Sequence, residues 1–293
     1  MTKEREGEVM MVVLSLLESW FPILSMFAIA LVGAIFSYAI IVLIATTVLM
    51  IILIKQKSVS QLWIPEAQKD LLLTSFFITA LFLLIFLGLK YTSAGNMAVI
   101  IFLQLLFSYL FFNVFGSEKL TPLHSWGALS MGIGAIIMLF PDDVKLNIGD
   151  ALILIAAIIA PIVNLYQKRA RAHVSSITIL AYRNLAALPF LFLIAWLFEP
   201  LPSLNALKEA MPYLFSVAIL VYVISKILWI EALHRISITK MSAMLAILPL
   251  STLILAYFIL NEIPTMRQLL GIIPILFGGY LITRPVHKFL SIK

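Results

Sequence analysis

Long apolar runs separated by short polar breaks fill almost the whole chain. A helix that crosses a bilayer needs about 20 consecutive, mostly apolar residues, and most of these runs have about that length. The pattern therefore predicts an all-α integral membrane protein with ten transmembrane helices. The predicted spans are residues 9–29, 33–54, 71–90, 94–115, 123–140, 150–168, 177–198, 213–232, 238–260 and 266–283.

The boundary between the first two spans is predicted from length alone. From Val9 to Ile54 the only charged residue is Glu18. A run of 46 residues is too long for one span, so we place a turn near Gly33.

A repeat divides the chain into two halves. The recurring positions are 117–121, Gly127 and Gly134 in the first copy and, 144 residues later, 261–265, Gly271 and Gly278 in the second. Each half holds five predicted spans, and an odd number makes the second half enter the membrane from the opposite side. The sequence thus predicts two inverted five-helix repeats, residues 7–142 and 149–284, as in many secondary transporters. The alternative is a duplication that only enlarges a helix bundle.

A pattern of helix-end and helix-packing residues also recurs in both copies. It comprises Tyr182-Arg183, Trp229 to Ser237, Pro249, Glu262, Gly271 and Gly278 in the second copy, and Leu89 to Ala94 followed by Glu118 in the first. This pattern resembles the EamA family of the drug/metabolite transporter superfamily over nearly the whole chain. The resemblance implies a ten-helix transporter, most typically an exporter of amino acids or related compounds. Ala39 and Leu105 of the first copy replace Arg183 and Pro249 of the second, so symmetric use of those positions is not expected.

Composition agrees with a lipid environment and narrows the expected partners. Hydrophobic residues make up 63% of the chain and charged residues 12%, with a mean hydropathy of +1.11, which is too apolar for a soluble domain. The net charge of +6 is scattered over many short loops, so no nucleic acid partner is expected. The absence of cysteine excludes disulfides and thiolate metal sites.

Lysine and arginine are divided unequally between the two sets of loops. If the N-terminus is cytoplasmic, the cytoplasmic segments hold 14 of the 20 and the outer loops hold four. The positive-inside rule then predicts that both termini are cytoplasmic, and the resemblance implies a bacterial-type inner membrane.

Three ionisable residues lie well inside the predicted spans: Glu18, Arg183 and Lys226. Each costs at least about 2.5 kcal/mol at the bilayer centre, so each is expected to face protein or water, and together they outline a cavity. Glu18 lies near the midplane, four residues before Pro22, which leaves a carbonyl without its helical donor. Its carboxyl group suits a cationic substrate group or a proton; the alternative is a structural hydrogen bond to a neighbouring helix.

The other candidate residues share that predicted cavity. For Arg183 a helix-packing role is favoured, whereas Lys226, with Tyr222 one turn earlier on the same face, is the preferred substrate contact. The substrate-binding candidates are Glu18, Gln104, Asn164, Arg183, Tyr222 and Lys226. For the two amides, hydrogen bonding between helices is the alternative. Two cations against one carboxylate favour an anionic or zwitterionic substrate, with any amino group directed toward Glu18.

Signatures of enzymes are missing from the sequence. No pair of aspartates lies inside the spans, which excludes a paired-aspartate intramembrane protease, and the four histidines lie in or near loops without metal-ligand spacing. There is no glycine-rich phosphate loop. We therefore expect no catalytic residue, no metal and no cofactor.

These inferences combine into a secondary transporter that exports small polar or amphiphilic metabolites by alternating access. Its cavity is expected between helices one, three, four, six, eight and nine. The expected partners are a small-molecule substrate and the lipid bilayer, with coupling protons and a second copy of the chain as open alternatives. A lipid-linked sugar translocase and a membrane-embedded lipid-modifying enzyme are the rival functions.

Overall fold

The computed structural model describes residues 3–114, 122–139, 147–233, 235, 244–245 and 247–282, and these contain helices and no strand. The helices are α1 Lys3–Ser19, α2 Phe21–Val32, α3 Ala34–Lys55, α4 Pro65–Leu89, α5 Ala94–Phe102, α6 Gln104–Val114, α7 Pro122–Leu139, α8 Ile148–Arg171, α9 Ser176–Phe198, α10 Leu204–Ser216, α11 Lys226–Leu233, α12 Ile247–Leu260 and α13 Met266–Ile282. A 3₁₀ turn, Val59–Trp63, precedes α4, and a π-helical segment, Val217–Ser225, joins α10 to α11.

The ten predicted spans each coincide with one helix or one interrupted helix. The first is α1 and α2, the fourth is α5 and α6, and the eighth runs from α10 to α11. Seven helical stretches of the described chain are long and apolar enough to cross a membrane, and α12 and α13 are shorter apolar helices. Of the predicted spans, residues 115, 140, 238–243, 246 and 283 lie outside the described residues, as do the repeat positions 117–121 and the predicted repeat ends at 142 and 284.

The predicted turn at Gly33 is confirmed. Gly33 separates α2 from α3 and has a φ of +88°, a backbone conformation that residues with a Cβ atom rarely adopt. The Glu199 carboxylate follows α9 and accepts hydrogen bonds from the backbone N–H groups of Ala34, Ile35 and Phe36 at 2.8, 3.0 and 2.9 Å. An acidic group is favourable there because the first N–H groups of a helix lack partners within it.

The start of α9 is held in a comparable way by the first half of the chain. Gln61, in the 3₁₀ turn after α3, accepts hydrogen bonds from the Ser175 backbone N–H and the Thr178 hydroxyl, both at 2.9 Å. The second and seventh spans are therefore each held at their N-terminus by a residue of the opposite half.

The packing of the helices follows the repeat. The fifth span packs on the tenth, α7 against α13, and the second on the seventh, α3 against α9. The third span packs on the sixth, α4 against α8. The eighth span, which the repeat relates to the third, packs on the first: α10 contacts α2, and α11 contacts α1. Exchanging the two halves turns this set of contacts into itself, as expected for two copies of one unit.

Four glycines bring α7 and α13 into close contact, and we call Gly127, Gly134, Gly271 and Gly278 the glycine seam. A Cβ atom on Gly278 would lie 2.3 Å from the Gly127 carbonyl oxygen, and one on Gly134 would lie 2.6 Å from that of Gly271. A shift of 144 residues exchanges these two contacts. Because the early glycine of each helix meets the late glycine of the other, the helices are antiparallel, which supports the predicted inversion.

The connections lie at two opposite ends of the bundle. At the end that we call proximal, Gln61 meets Ser175, and Arg235 lies 3.6 Å from Glu6. At the opposite, distal end, Glu199 meets α3, the Asn147 amide donates to the Tyr91 carbonyl at 2.8 Å, and the Glu262 carboxylate lies 3.3 Å from the Ala94 nitrogen. The connections that the structure describes thus lie at the ends where ten alternating spans would place them.

Cysteine labelling should place the proximal end in the cytoplasm. In this cysteine-free chain, Lys57→Cys at the proximal end should react with a membrane-impermeant maleimide only after cells are opened, and Lys208→Cys at the distal end should react in intact cells. The reason is the excess of lysine and arginine on the proximal side. Reversed labelling would contradict the orientation only, whereas labelling of both from one side would contradict the span count.

Candidate functional site

A cavity of about 130 Å³ lies between the two halves. Residues from the first, third, fourth, sixth, eighth and ninth spans line it, as predicted, and the seventh span contributes through Leu180 and Arg183. Five of the six predicted site residues stand on its wall: Glu18, Gln104, Asn164, Arg183 and Lys226. Most of the remaining wall is aliphatic or aromatic.

Glu18 and Lys226 form an ion pair on this wall. The Lys226 Nζ atom lies 2.5 Å from Glu18 Oε1, and the Ser225 hydroxyl donates to the same oxygen. The two side chains are 19% and 14% exposed for Lys226 and Glu18, respectively, so both are largely withdrawn from solvent. Lys226 also lies over the Phe82 ring, 5.7 Å from its centroid, which favours a cation.

A break in the first span positions Glu18. The helix is interrupted at Trp20, whose backbone N–H bonds to the Leu17 carbonyl at 3.2 Å. Pro22 has no N–H to offer the Glu18 carbonyl, so the loosened turn expected beside Glu18 is present. The carboxyl group is therefore held on a kinked segment that faces the eighth span.

Arg183 is buried and incompletely hydrogen-bonded. It is 2% exposed, yet its side chain contributes to the cavity wall. Its Nε and Nη2 atoms are buried and have no hydrogen-bond partner among the described residues.

Tyr222 does not stand on the wall, contrary to the prediction that it shares a face with Lys226. It is 1% exposed and packs behind Phe82, with ring centroids 4.9 Å apart. The π-helical segment that precedes Lys226 changes the residues per turn, so the spacing of a regular α-helix no longer relates the two side chains. Tyr222 belongs to an aromatic layer, with Phe21 and Tyr38, that supports the wall.

The cavity wall is symmetric in position and asymmetric in chemistry. Several wall residues are related by the repeat offset of 144. These pairs are Phe82 and Lys226, Ile85 and Trp229, Ile101 and Leu245, and Gln104 and Leu248. In none of them are both members polar, so the polar residue of such a pair has an apolar residue at the equivalent position of the other half.

A polar network that sequence reasoning missed lies at the distal end. Asp150 at the start of α8 accepts hydrogen bonds from the Thr92 hydroxyl and from the Asn96 amide, the latter at 3.1 and 3.2 Å. The Gln268 amide of α13 donates to the Asn96 side-chain oxygen at 2.6 Å. The network joins the ends of three spans, and its only sequence signal is the clustering of polar residues at predicted helix starts.

An ion pair lies at the proximal end of the eighth span. Arg235 bonds the Glu231 carboxylate at 2.7 Å one turn away. No group of three histidine, aspartate or glutamate residues that could hold a metal occurs in the part of the chain that the structure describes.

Comparisons with known proteins agree with this arrangement. A family model described as the EamA-like transporter family matches residues 5–140 and again 147–284. The uncharacterized transporter YoaV of Bacillus subtilis (strain 168) is 23% identical over 202 residues, 67% of this chain and 68% of its own. An uncharacterized transporter of Archaeoglobus fulgidus is 24% identical over 216 residues, 72% of this chain and 74% of its own.

A solved crystal structure has the same fold. It superposes with a TM-score of 0.70 over 95% of this chain and 96% of its own, at 18% sequence identity. The family model matches each half of the chain separately, and the solved structure aligns with both halves together.

Proposed function

The chain belongs to the EamA-like transporter family, and from that membership and its central cavity we propose that it is a secondary transporter that exports small polar or amphiphilic metabolites. Amino acids and related compounds are the proposed substrates. The membrane is the inner membrane of the cell, with both termini in the cytoplasm. No observation favours the lipid-translocase or lipid-modifying alternatives.

The observation that carries this proposal is the cavity between the halves. Inverted repeats provide two equivalent arrangements of the same helices, one open to each side, around one central site. Here the repeat-related residues of the third, fourth, eighth and ninth spans meet at that site. A small molecule bound there contacts both halves, so its release to either side follows from their relative movement.

The distal end and the proximal end offer the two gates. The network of Thr92, Asn96, Asp150 and Gln268 ties the distal ends of three spans together. Opening toward the outside requires these hydrogen bonds to break. The second and seventh spans form a common support, held together by the contacts of Glu199 with α3 and of Gln61 with the start of α9. In this proposal the third, fourth, eighth and ninth spans move against that support.

Exchange assays in proteoliposomes should test the proposal. A panel of amino acids and organic acids is loaded inside and challenged with labelled counterparts outside; at least one compound should exchange. Gln104→Leu should then slow exchange about 3- to 10-fold, because one hydrogen bond to the substrate is worth about 0.5–1.5 kcal/mol. The matched control is Lys208→Gln, an exposed residue away from the cavity.

Two outcomes would contradict the proposed function. One is that no compound of the panel exchanges or raises the thermal stability of the pure protein, since a bound substrate stabilises in proportion to its concentration over its dissociation constant. The other is exchange that Gln104→Leu and Lys208→Gln affect equally.

A further inference from the structure

We propose that Arg183 is the anion-binding group of the central cavity and that its ligand is a monocarboxylate with an apolar body. The inference rests on the proposed transport function, and among the proposed substrates it favours related carboxylates without an amino group over the amino acids themselves. Sequence reasoning favoured packing for Arg183 and substrate contact for Lys226; the geometry points to the reverse assignment.

Arg183 has hydrogen-bond donors without acceptors. A guanidinium is permanently charged and carries five N–H donors in a planar fork that matches a carboxylate. Arg183 is 2% exposed, and its Nε and Nη2 atoms have no partner among the described residues. A buried unpaired cation is costly, and because Arg183 lines the cavity, an anion bound there would lie close to its charge.

The charged side chains of the cavity wall leave one positive charge in excess. Glu18 and Lys226 neutralise each other at 2.5 Å, so the charged side chains that line the cavity sum to one positive charge, that of Arg183. A single carboxylate brings the sum to zero. A zwitterion leaves one positive charge without a partner, since Lys226 already satisfies the carboxylate of Glu18.

The rest of the cavity wall is mostly apolar. Phe21, Phe82, Ile101, Leu180, Trp229 and Leu248 are among the side chains that face the cavity. Burying a hydrocarbon or aromatic body against them is favourable by about 25 cal/mol per Å² of apolar surface. The ligand class that satisfies all three features is an amphiphilic monocarboxylate.

Ligand variation on the unmodified protein tests the charge requirement. Thermal stability of the purified protein is titrated with 3-phenylpropionate and with four analogues of the same ring: 3-phenylpropanol, phenylalanine, phenethylammonium and phenyl phosphate. The dissociation constant for 3-phenylpropionate should be at least tenfold lower than for each analogue, a tenfold ratio being about 1.4 kcal/mol.

Variants test whether Arg183 is the group responsible. Arg183→Met should weaken 3-phenylpropionate binding at least about 30-fold, the lower bound for removing one partner of a buried charge pair, and should leave 3-phenylpropanol binding unchanged. The ligand-free variant should be as stable as the wild type or more stable, because the unpaired buried charge is gone. Arg183→Lys should keep the preference for anions, and Arg169→Gln, which removes an exposed guanidinium, should change nothing.

The outcomes separate this inference from the proposed function. Equal binding of 3-phenylpropionate by the wild type and Arg183→Met, or destabilisation of ligand-free Arg183→Met, would show a packing role and overturn the inference. Tighter binding of phenylalanine, phenethylammonium or phenyl phosphate would overturn the ligand class while transport stands. If Arg183→Met cannot be purified, the ligand series on the wild type and on Arg183→Lys decides in the same way. Absence of binding and exchange by every compound would contradict the proposed function itself.

Discussion

Replacing Gly278 by valine should prevent the protein from forming a stable fold. A Cβ atom at this position would lie 2.3 Å from the Gly127 carbonyl oxygen, 2.6 Å from Met131 Cγ and 2.8 Å from the Met131 nitrogen. Two of these atoms belong to the backbone of α7, so α7 and α13 would have to separate along the glycine seam. Close helix contact is the main attraction between helices in lipid, and overpacking of this kind costs about 3 kcal/mol or more.

The chain offers a matched control for this substitution. Gly132 lies in the same helix as Gly127, and a Cβ there would meet no atom within 4 Å. Gly132→Val should therefore purify as the wild type does. The measurement is the monodisperse fraction in fluorescence-detected size exclusion after a temperature series. Equal behaviour of Gly278→Val and Gly132→Val would contradict the close approach of α7 and α13.

Breaking the Glu18–Lys226 pair should have the second large effect. Lys226→Met leaves a carboxylate in a poorly solvated wall, and Glu18→Gln leaves an ammonium there. Removing one partner of a buried ion pair costs about 3–5 kcal/mol, so both single variants should lose thermal stability as well as transport. If both residues instead serve mainly to contact the substrate, transport should be impaired more than folding.

The double variant separates these two interpretations. In Glu18→Gln with Lys226→Met no unpaired charge remains, so most of the lost stability should return, with a coupling energy of about 3 kcal/mol or more in the double-mutant cycle. Thermal unfolding of the four proteins in one detergent provides the measurement. Strictly additive losses would show that the two side chains do not act as a pair.

The architecture was largely predictable because lipid imposes simple rules on a sequence. Span length and charge placement located the ten helices, the odd number of spans per repeat indicated inversion, and the length of the first run located the turn at Gly33. The break beside Glu18 followed from the chemistry of Pro22, which has no N–H. Each of these inferences needs only local sequence and the thickness of the bilayer.

The sequence predicts how deep the site residues lie in the bilayer, but it does not predict which way their side chains point. Hydropathy places Glu18 and Lys226 within the bilayer, but whether they face each other depends on the rotation of two helices whose residues are 208 positions apart. The π-helical segment before Lys226 altered that rotation and moved Tyr222 behind the wall. The distal network of Asp150 likewise depends on how three helix ends meet, which no single segment encodes.

The glycine seam has a consequence for how the protein is made. Gly278 follows Gly127 by about 150 residues, which at about 5–20 residues per second is a delay on the order of 10 to 30 seconds. During that interval the first five spans are already inserted, but α13 is not yet present to cover the seam surface of α7. For part of that time the N-terminus of α3 also lacks its contact with the Glu199 carboxylate. The nascent first half must therefore be sheltered by the insertion machinery or by lipid until α13 is made, and α13 then completes the contact between the two halves along the seam.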